Sequence, residues 1–181
     1  MRTIIPEQDN PILRHVARAI PVSDISSDHI KSLISDMRAL LAKEKHGVAL
    51  AAPQVGESIR LFVVAGRALT LNDAEEDSDS DSRESRRIPD DLVYINPEVV
   101  KTSRLKRNKH EGCLSIRGYW GIVPRAEKMT IRAYDQHGVQ ITRGTSGFLA
   151  HIFQHEIDHL NGILYTDTAI EIHDESSEQS S

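Results

Sequence analysis

The segment from residue 146 to residue 160 constrains the fold more than any other part of the chain. Apolar side chains leave little polar surface around this helix-length segment, which predicts a helix that lies inside the protein. Ser146 is a suitable N-cap, and Asn161 followed by Gly162 is a typical stop signal. The apolar positions are Phe148, Leu149, Ile152, Phe153, Ile157 and Leu160.

His155 and His159 lie four residues apart in this predicted helix, and Glu156 directly follows the first histidine. Residues four apart share one helix face, so both imidazoles can point at one ion. The pattern H-E-x-x-H on a helix is typical of a metal-binding pair with a glutamate base. Two satisfied core histidines beside a surface glutamate are the alternative, but burying three such polar groups is costly without a partner. The segment therefore predicts a metal site.

Such a site needs a third protein ligand, because catalytic zinc or iron sites typically take three and keep one position for water. Downstream of Gly162 the sequence offers only Glu171 and His173, in a polar tail that is a poor place for a ligand. The single cysteine, Cys113, lies in EGCLS, and a thiolate suits a borderline transition metal. His151 extends the histidine stripe, but it is about 12 Å along the helix from the far histidine, so three cannot share one ion.

The remaining elements predict a single α+β domain. Residues 28–45 show the i, i+3, i+4, i+7 apolar spacing of an amphipathic helix, with Ser26 or Ser27 as its cap. Residues 72–91 carry nine acidic residues against three arginines, which predicts a disordered or mobile insertion. The predicted strands are short and cover 59–64, 92–95, 98–102, 129–134 and 139–142.

Composition argues against a membrane-spanning or disulfide-bonded protein. The chain has 181 residues, of which 39% are hydrophobic and 27% are charged, as in ordinary globular proteins. No run approaches the roughly 20 apolar residues needed to cross a bilayer. A single cysteine excludes an intrachain disulfide, and the first residues are typical of neither a signal peptide nor a transit peptide. We therefore expect a cytoplasmic protein with no membrane or DNA partner.

Three segments occur in order at suitable distances: GVALAAPQ at 47–54, EGCLS at 111–115 and QHEIDH at 154–159. Together they resemble the motifs of the peptide deformylases, hydrolases that remove the formyl group from the N-formylmethionine of new bacterial proteins. The likeness covers most of the chain, from NPILR near its start through VPRAEKMTIRAYDQHG to the second long helix. It implies a mixed α+β fold in which small antiparallel sheets surround a central metal-bearing helix.

The resemblance also implies the composition of the metal centre. Its ligands would be Cys113, His155 and His159, and Glu156 would be the acid/base residue. The cofactor would be one divalent metal ion, with Fe(II) expected and Zn(II) or Ni(II) also possible.

The catalytic steps implied by the resemblance use few further residues. Glu156 would take a proton from the attacking water and deliver it to the departing amine. The Gln54 amide and the Leu114 N–H would stabilise the oxyanion, and losing one such donor commonly costs a factor of about 10²–10³ in rate. Glu111 and Arg125 would form an ion pair that fixes the EGCLS strand.

An extended peptide would be the substrate, and the resemblance places its contacts on two segments and the helix. Backbone groups would hold the peptide main chain, and side chains from the helix would line the methionine pocket. The substrate-binding residues would be Val48, Ala49, Gly112, Phe148 and His151.

The sequence departs from the family pattern at three places. Ala49 stands where the family usually has glycine, and His151 stands where the methionine pocket often has an aliphatic residue. The acidic insertion is not typical of the family. None of these differences touches a ligand or the expected base, so we expect activity to be retained.

The resemblance implies a catalytic domain over residues 1–170, with the acidic insertion at about 72–91, followed by a polar, disordered tail over 171–181. The expected partners are the formyl-methionine N-termini of nascent polypeptides, with a transient association with the ribosome. RNA would repel the acidic insertion and the acidic tail, so we expect no ribosomal contact through either.

Two other functions are compatible with the residues alone. A metalloprotease would apply the same H-E-x-x-H chemistry to internal peptide bonds, although the sequence supplies no suitable third His or Glu ligand. A non-catalytic protein would keep the metal as structure, although structural zinc sites usually have a fourth protein ligand, which is not found in this sequence.

Overall fold

The computed structural model describes residues 2–76 and 89–178. Within these residues the chain forms five α-helices and eight strands, joined by short 3₁₀ turns. In chain order they are α1 (Asp28–Lys43), β1 (Ala49–Ala51), β2 (Leu61–Val64), α2 (Gly66–Glu76), β3 (Leu92–Thr102), β4 (Lys106–Cys113), β5 (Ile116–Ala126), β6 (Lys128–Tyr134), β7 (Gln140–Ser146), α3 (Gly147–Leu160), α4 (Tyr165–Thr168), β8 (Glu171–Asp174) and α5 (Glu175–Glu178).

The strands form two antiparallel sheets with α3 packed between them. The larger sheet has the order β1-β2-β3-β6-β7, and the smaller has the order β4-β5-β8. Helix α3 contacts strands of both sheets, so a residue on α3 can meet a residue at the end of β4. This arrangement confirms the predicted single α+β domain with a central helix. No helix in the described part of the chain is long and apolar enough to cross a membrane.

Helix α3 is held against the larger sheet by aromatic packing. Phe153 is fully buried, and its ring centroid lies 5.6 Å from that of Phe62 and 4.8 Å from that of Tyr94. Replacing a buried phenylalanine by alanine typically costs about 3–5 kcal/mol, so this cluster contributes strongly to the position of α3. The apolar surface predicted for residues 146–160 thus fixes the element that carries both site histidines.

Helix α1 covers the opposite face of the larger sheet. Its apolar stripe packs on β2 and β3, as the spacing in residues 28–45 predicts. Ser27 caps the helix, and its Oγ accepts a hydrogen bond from the N–H of Ile30 at 3.4 Å. The buried residues of the stripe are Ile30, Leu33, Ile34, Met37 and Leu41.

Strand β3 continues through the break predicted at residues 96–97. The pairing of β3 with β6 shifts register between Ile95 and Glu98, and Asn96 adopts a positive φ of 51°. The Asn96 side chain accepts from the N–H of Ile20 at 2.8 Å and donates to its carbonyl at 2.7 Å. Asparagine tolerates this backbone region, so the two predicted strands join as one bulged strand.

The predicted disordered insertion is wrong for residues 72–76, which belong to α2. Asp91 accepts a hydrogen bond from the N–H of Gly66 at 2.9 Å, at the start of this helix. Arg67 in its first turn donates to the carbonyls of Leu41, Glu44 and Gly47. These contacts tie α2 to the rest of the fold despite its polar composition. Of the rest of that prediction, residues 89–91 belong to no helix or strand, and residues 77–88 lie outside the described residues.

The predicted disordered tail is also wrong for residues 171–178. Strand β8 pairs antiparallel with β5, where Ile172 lies opposite Gly121 and His173 lies opposite Trp120. Backbone hydrogen bonds provide this pairing, so a polar sequence with one face in water can form it. Residues 179–181 of the predicted tail lie outside the described residues.

Candidate metal centre

Cys113 ends β4, and His155 and His159 lie one turn apart on α3. The Sγ atom of Cys113 is 3.4 Å from Nε2 of His159, and this nitrogen is 3.1 Å from Nε2 of His155. The three donor atoms all lie within 4.8 Å of one another. The structure therefore brings the three predicted ligands to one point.

Two of the three donor spacings, 3.4 Å and 3.1 Å, are close to those around a divalent transition metal. Around tetrahedral zinc, a thiolate at about 2.3 Å and imidazole nitrogens at about 2.0–2.1 Å are about 3.3–3.6 Å from each other. Burial lowers the pKa of His159 well below its usual range, so its ring is neutral and can offer a lone pair. The other ring nitrogen of His159 is buried without a hydrogen-bond partner among the described residues. The three donor atoms are therefore of the right type and close enough together to hold a metal ion.

Glu111 orients the His155 ring through a hydrogen bond to its Nδ1 atom. A carboxylate only accepts, so Nδ1 of His155 donates to Oε1 of Glu111 at 2.5 Å and leaves Nε2 free. Glu111 also accepts hydrogen bonds from Arg125, through Nε at 2.9 Å and Nη2 at 2.6 Å, and from Nε2 of His151 at 2.9 Å. Burial would raise the pKa of Glu111, but hydrogen bonds from His151, His155 and Arg125 hold it well below its usual range. Glu111 is therefore a buried anion that accepts four hydrogen bonds.

The predicted ion pair between Glu111 and Arg125 is confirmed, and it belongs to a larger network. Arg125 also donates Nη1 to Oδ2 of Asp158 at 2.6 Å, which ties β5 to α3 beside the histidines. His151 is part of the network through Glu111, in addition to lining the cavity described below. This network holds the sheet that carries Cys113 against α3.

Glu156 lies beside the three donors and is 3% exposed. Its Oε2 atom is buried and has no hydrogen-bond partner among the residues that the structure describes. Burial raises the pKa of Glu156 to about 7, with the Glu111 charge adding to this effect and His155 opposing it. A carboxyl group with such a pKa can both accept and return a proton near neutral pH.

Gln54 is buried and fixed at the end of the loop after β1. Its Oε1 accepts from the N–H of Ala51 at 2.9 Å, which turns its amide nitrogen toward the metal centre. That nitrogen donates to Ser115 Oγ at 3.3 Å and lies 3.5 Å from Cys113 Sγ. Asn10 donates to the carbonyl of Pro53 at 2.8 Å and holds the same loop. Gln54 is thus a fixed donor rather than a surface glutamine.

Comparison with known proteins decides the family. Residues 1–175 match the family model described as polypeptide deformylase. This chain belongs to the peptide deformylase family. A peptide deformylase of Desulforudis audaxviator (strain MP104C) is 36% identical over 170 residues, covering 93% of this chain and 94% of that one. A peptide deformylase of Halothermothrix orenii is 39% identical over 166 residues, covering 92% of each.

Solved deformylase structures share the fold. A class I type b peptide deformylase from Acinetobacter baumannii superposes with a TM-score of 0.76 at 30% identity, covering 93% of this chain and 99% of that one. The enzyme of Thermotoga maritima gives a TM-score of 0.75 at 27% identity, covering 94% and 99%. Members of this metal-dependent family are enzymes that remove the N-formyl group from nascent polypeptides, and that is the function of this chain.

A cavity of about 450 Å³ opens onto the deformylase metal centre. Cys113, His155, Glu156 and Gln54 line it, as do all the residues predicted to bind substrate, and of these four Glu156 and Gln54 are buried. The five residues predicted to bind substrate are Val48, Ala49, Gly112, Phe148 and His151, and the predicted oxyanion donor Leu114 lines the cavity as well. The structure therefore places every predicted site residue except His159 in the lining of one cavity, and His159 contacts the lining residue His155.

Further residues line this cavity that the sequence did not single out. Ser115 is not one of these lining residues, but its Oγ accepts a hydrogen bond from the Gln54 amide, and the EGCLS motif already includes it. No sequence motif marks Glu175 as a cavity residue, because only the pairing of β8 with β5 brings it to the cavity. The other additional residues are His46, His110, Ile116, Arg117 and Tyr119.

Proposed function

We propose that Cys113, His155 and His159 hold one divalent metal ion and that Glu156 is the acid/base residue in deformylation. The observation that carries this proposal is the convergence of three donor atoms beside a buried carboxyl oxygen that has no partner among the described residues. The products would be formate and a free methionine N-terminus.

The donor set suits a borderline metal, because it combines one soft thiolate with two imidazoles. We propose Fe(II) as the physiological ion, with Zn(II) or Ni(II) also accepted at the same residues. When bound, such an ion polarises the formyl oxygen and lowers the pKa of water toward neutrality.

Glu156 would transfer the proton in both halves of the reaction. Its raised pKa of about 7 lets the carboxylate accept a proton from the attacking water. The same carboxyl group then delivers that proton to the departing amine. Glu156 directly follows His155 on α3, so it lies off the face that presents the histidines and toward the cavity.

Gln54 and Leu114 would stabilise the oxyanion of the tetrahedral intermediate. The Gln54 amide is already turned toward Cys113 by its bond to the Ala51 N–H, so it needs little reorganisation. The backbone N–H of Leu114 follows directly after Cys113 and would be the second donor. Both residues line the cavity.

The substrate would bind as an extended peptide. Strand β1 is at the edge of the larger sheet, where a peptide can add as a further strand. Backbone groups of Val48, Ala49 and Gly112 would hold the main chain, and Phe148 and His151 would form part of the methionine pocket. All five residues line the cavity.

We also propose the cellular setting and the extent of the catalytic unit. The protein would act in the cytoplasm on emerging chains, in transient contact with ribosomes and without a DNA or membrane partner. Residues 1–170 would contain every proposed metal ligand and catalytic residue, and Glu175 beyond them also lines the cavity.

The decisive test measures formate release from a formyl-Met-Ala-Ser peptide by anaerobically purified protein, with bound metal quantified. We expect Glu156→Gln to keep its metal and lose at least a factor of about 10² in kcat/KM. The control is Glu98→Gln, which removes an exposed carboxylate on β3 and should keep full activity. Metal-loaded wild type that releases no formate would disprove the proposal. Cleavage of N-blocked internal peptides instead would support a protease.

A further inference from the structure

The C-terminal segment Glu171–Glu178 comprises β8 and α5, and its residue Glu175 lines the cavity. In the β5–β8 pairing Tyr119 lies opposite Asp174, so Glu175 follows directly beside this tyrosine. Tyr119 and Glu175 both line the cavity that contains the metal centre. Glu175 is therefore part of the site.

A stack of three rings holds β8 in this position. Trp120 lies between two histidines, with its ring centroid 4.8 Å from that of His110 and 4.2 Å from that of His173. The interplanar angles are 26° and 16°, so the rings are close to parallel. Because His173 belongs to β8, this stack holds β8 on the smaller sheet, in which β4 ends at Cys113.

Glu175 contributes the uncompensated charge at the cavity mouth. Among the charged side chains there, Arg117 is already bonded to Glu44 at 2.8 Å, and Glu111 is neutralised by Arg125 at the buried base. Glu175 forms no ion pair with any residue that the structure describes. An exposed carboxylate in this place gives the mouth a local negative potential.

The order of burial gives the direction of a bound peptide. Among the lining residues, Gln54 and Glu156 at the base are 2% and 3% exposed, whereas Tyr119 at the mouth is 47% exposed. With the formyl group at the base, the residues that follow methionine extend toward the mouth. They would pass Glu175, which lines the cavity beside Tyr119.

We propose that Glu175 is a specificity-determining residue that favours substrates with cationic side chains at the third and fourth positions. This inference rests on the proposed deformylase function and adds a substrate preference to it. An exposed charge pair is weak, so the preference for lysine over a neutral residue should be about twofold to fivefold in kcat/KM.

The test compares three peptide amides, formyl-Met-Ala followed by two lysines, two glutamines or two glutamates, at about pH 8, above the ordinary histidine pKa. Wild type should prefer lysine to glutamine and glutamine to glutamate. Glu175→Gln should reduce the ratio of lysine to glutamate peptides by about twofold to fivefold, and Glu175→Lys should reverse it. The control is Glu171→Gln, which removes the same charge from β8 outside the cavity lining and should keep the wild-type ratio.

The outcomes separate this inference from the function on which it rests. If all peptides are deformylated and the ratio is the same in wild type and Glu175→Gln, the inference is overturned while the function stands. An equal change in Glu171→Gln would also overturn it, because the effect would then come from net charge. If no peptide releases formate, the proposed function itself fails. A preference that weakens as salt rises supports the electrostatic origin.

Discussion

Glu111 accepts hydrogen bonds from two histidines and an arginine although it is itself no ligand. A buried carboxylate without such donors would take up a proton, and a protonated carboxyl could not fix the tautomer of His155. Arg125 supplies the positive charge that keeps Glu111 ionised. The direction of the His155 lone pair therefore depends on residues one step away from the donors.

Replacing Glu111 by glutamine should weaken the metal centre. The amide keeps the shape of the side chain but has one acceptor oxygen, so it cannot accept from His155, His151 and Arg125 together. Loss of such an orienting partner typically costs about 10–100-fold in metal affinity. Competition with a chromophoric chelator measures this, and Glu98→Gln is the control. A Glu111→Gln protein that is folded by circular dichroism and binds zinc as tightly as wild type would contradict the prediction.

Single residues were predictable from the sequence where a local motif carries the chemistry. Helical spacing predicts that His155 and His159 share a face, and the structure confirms it. The sequence predicts His151 only as a pocket wall, but the structure also bonds it to Glu111, 40 residues away. Periodicity along one segment gives no information on such a distant partner, so this part of the network required the fold.

At the scale of elements, β8 depends on a glycine in its neighbour. A Cβ at Gly121 would lie 2.9 Å from the Glu171 carbonyl oxygen and 3.1 Å from both Ala169 Cβ and Tyr165 Cε2. A carbon cannot approach a backbone oxygen that closely, so β8 or α4 would have to move. Gly121 thus allows β8 to pair closely with β5, which brings Glu175 to the cavity.

Gly121→Ala should therefore displace β8. We expect a loss of stability of about 1–3 kcal/mol, as for other overpacked positions. Faster hydrogen exchange at residues 171–174 should accompany it. Gly144→Ala is a matched control, because its Cβ would lie 3.8 Å from Thr130 Oγ1, an ordinary contact. Denaturant unfolding and hydrogen exchange measure the two effects. Equal stability changes in the two variants, with β8 still protected, would show that Gly121 has no such role.

Elements with regular apolar spacing were predictable, and those held by polar contacts were not. The stripe in α1 and the apolar surface of α3 led to the correct helices. The start of α2 is fixed by Arg67 and Asp91, which bond to distant parts of the chain. Strand β8 has no apolar alternation and forms through its backbone and the His173 ring. Composition therefore suggested disorder in both places where long-range contacts impose structure.

At the scale of the whole molecule, the three proposed metal ligands come from two different parts of the fold. Cys113 belongs to the smaller sheet, whereas the two histidines lie on α3, which packs on the larger one. Cys113 and His159 are 46 residues apart in sequence, so the unfolded chain rarely brings the donors together. An ion bound to all three would cross-link two halves of the native state.

Metal removal should therefore lower thermal stability. At a free zinc concentration of about 100 times Kd, binding to the native state alone contributes about 2.7 kcal/mol. For a chain of this size that corresponds to a fall in Tm of about 5–10 °C when a chelator strips the ion. Cys113→Ala, which retains only the two histidines, should lose much less on chelation because it starts with a weaker site. Scanning calorimetry with and without chelator, with the metal content measured in each sample, tests this. An equal loss in both proteins would show that the stabilising ion is bound elsewhere.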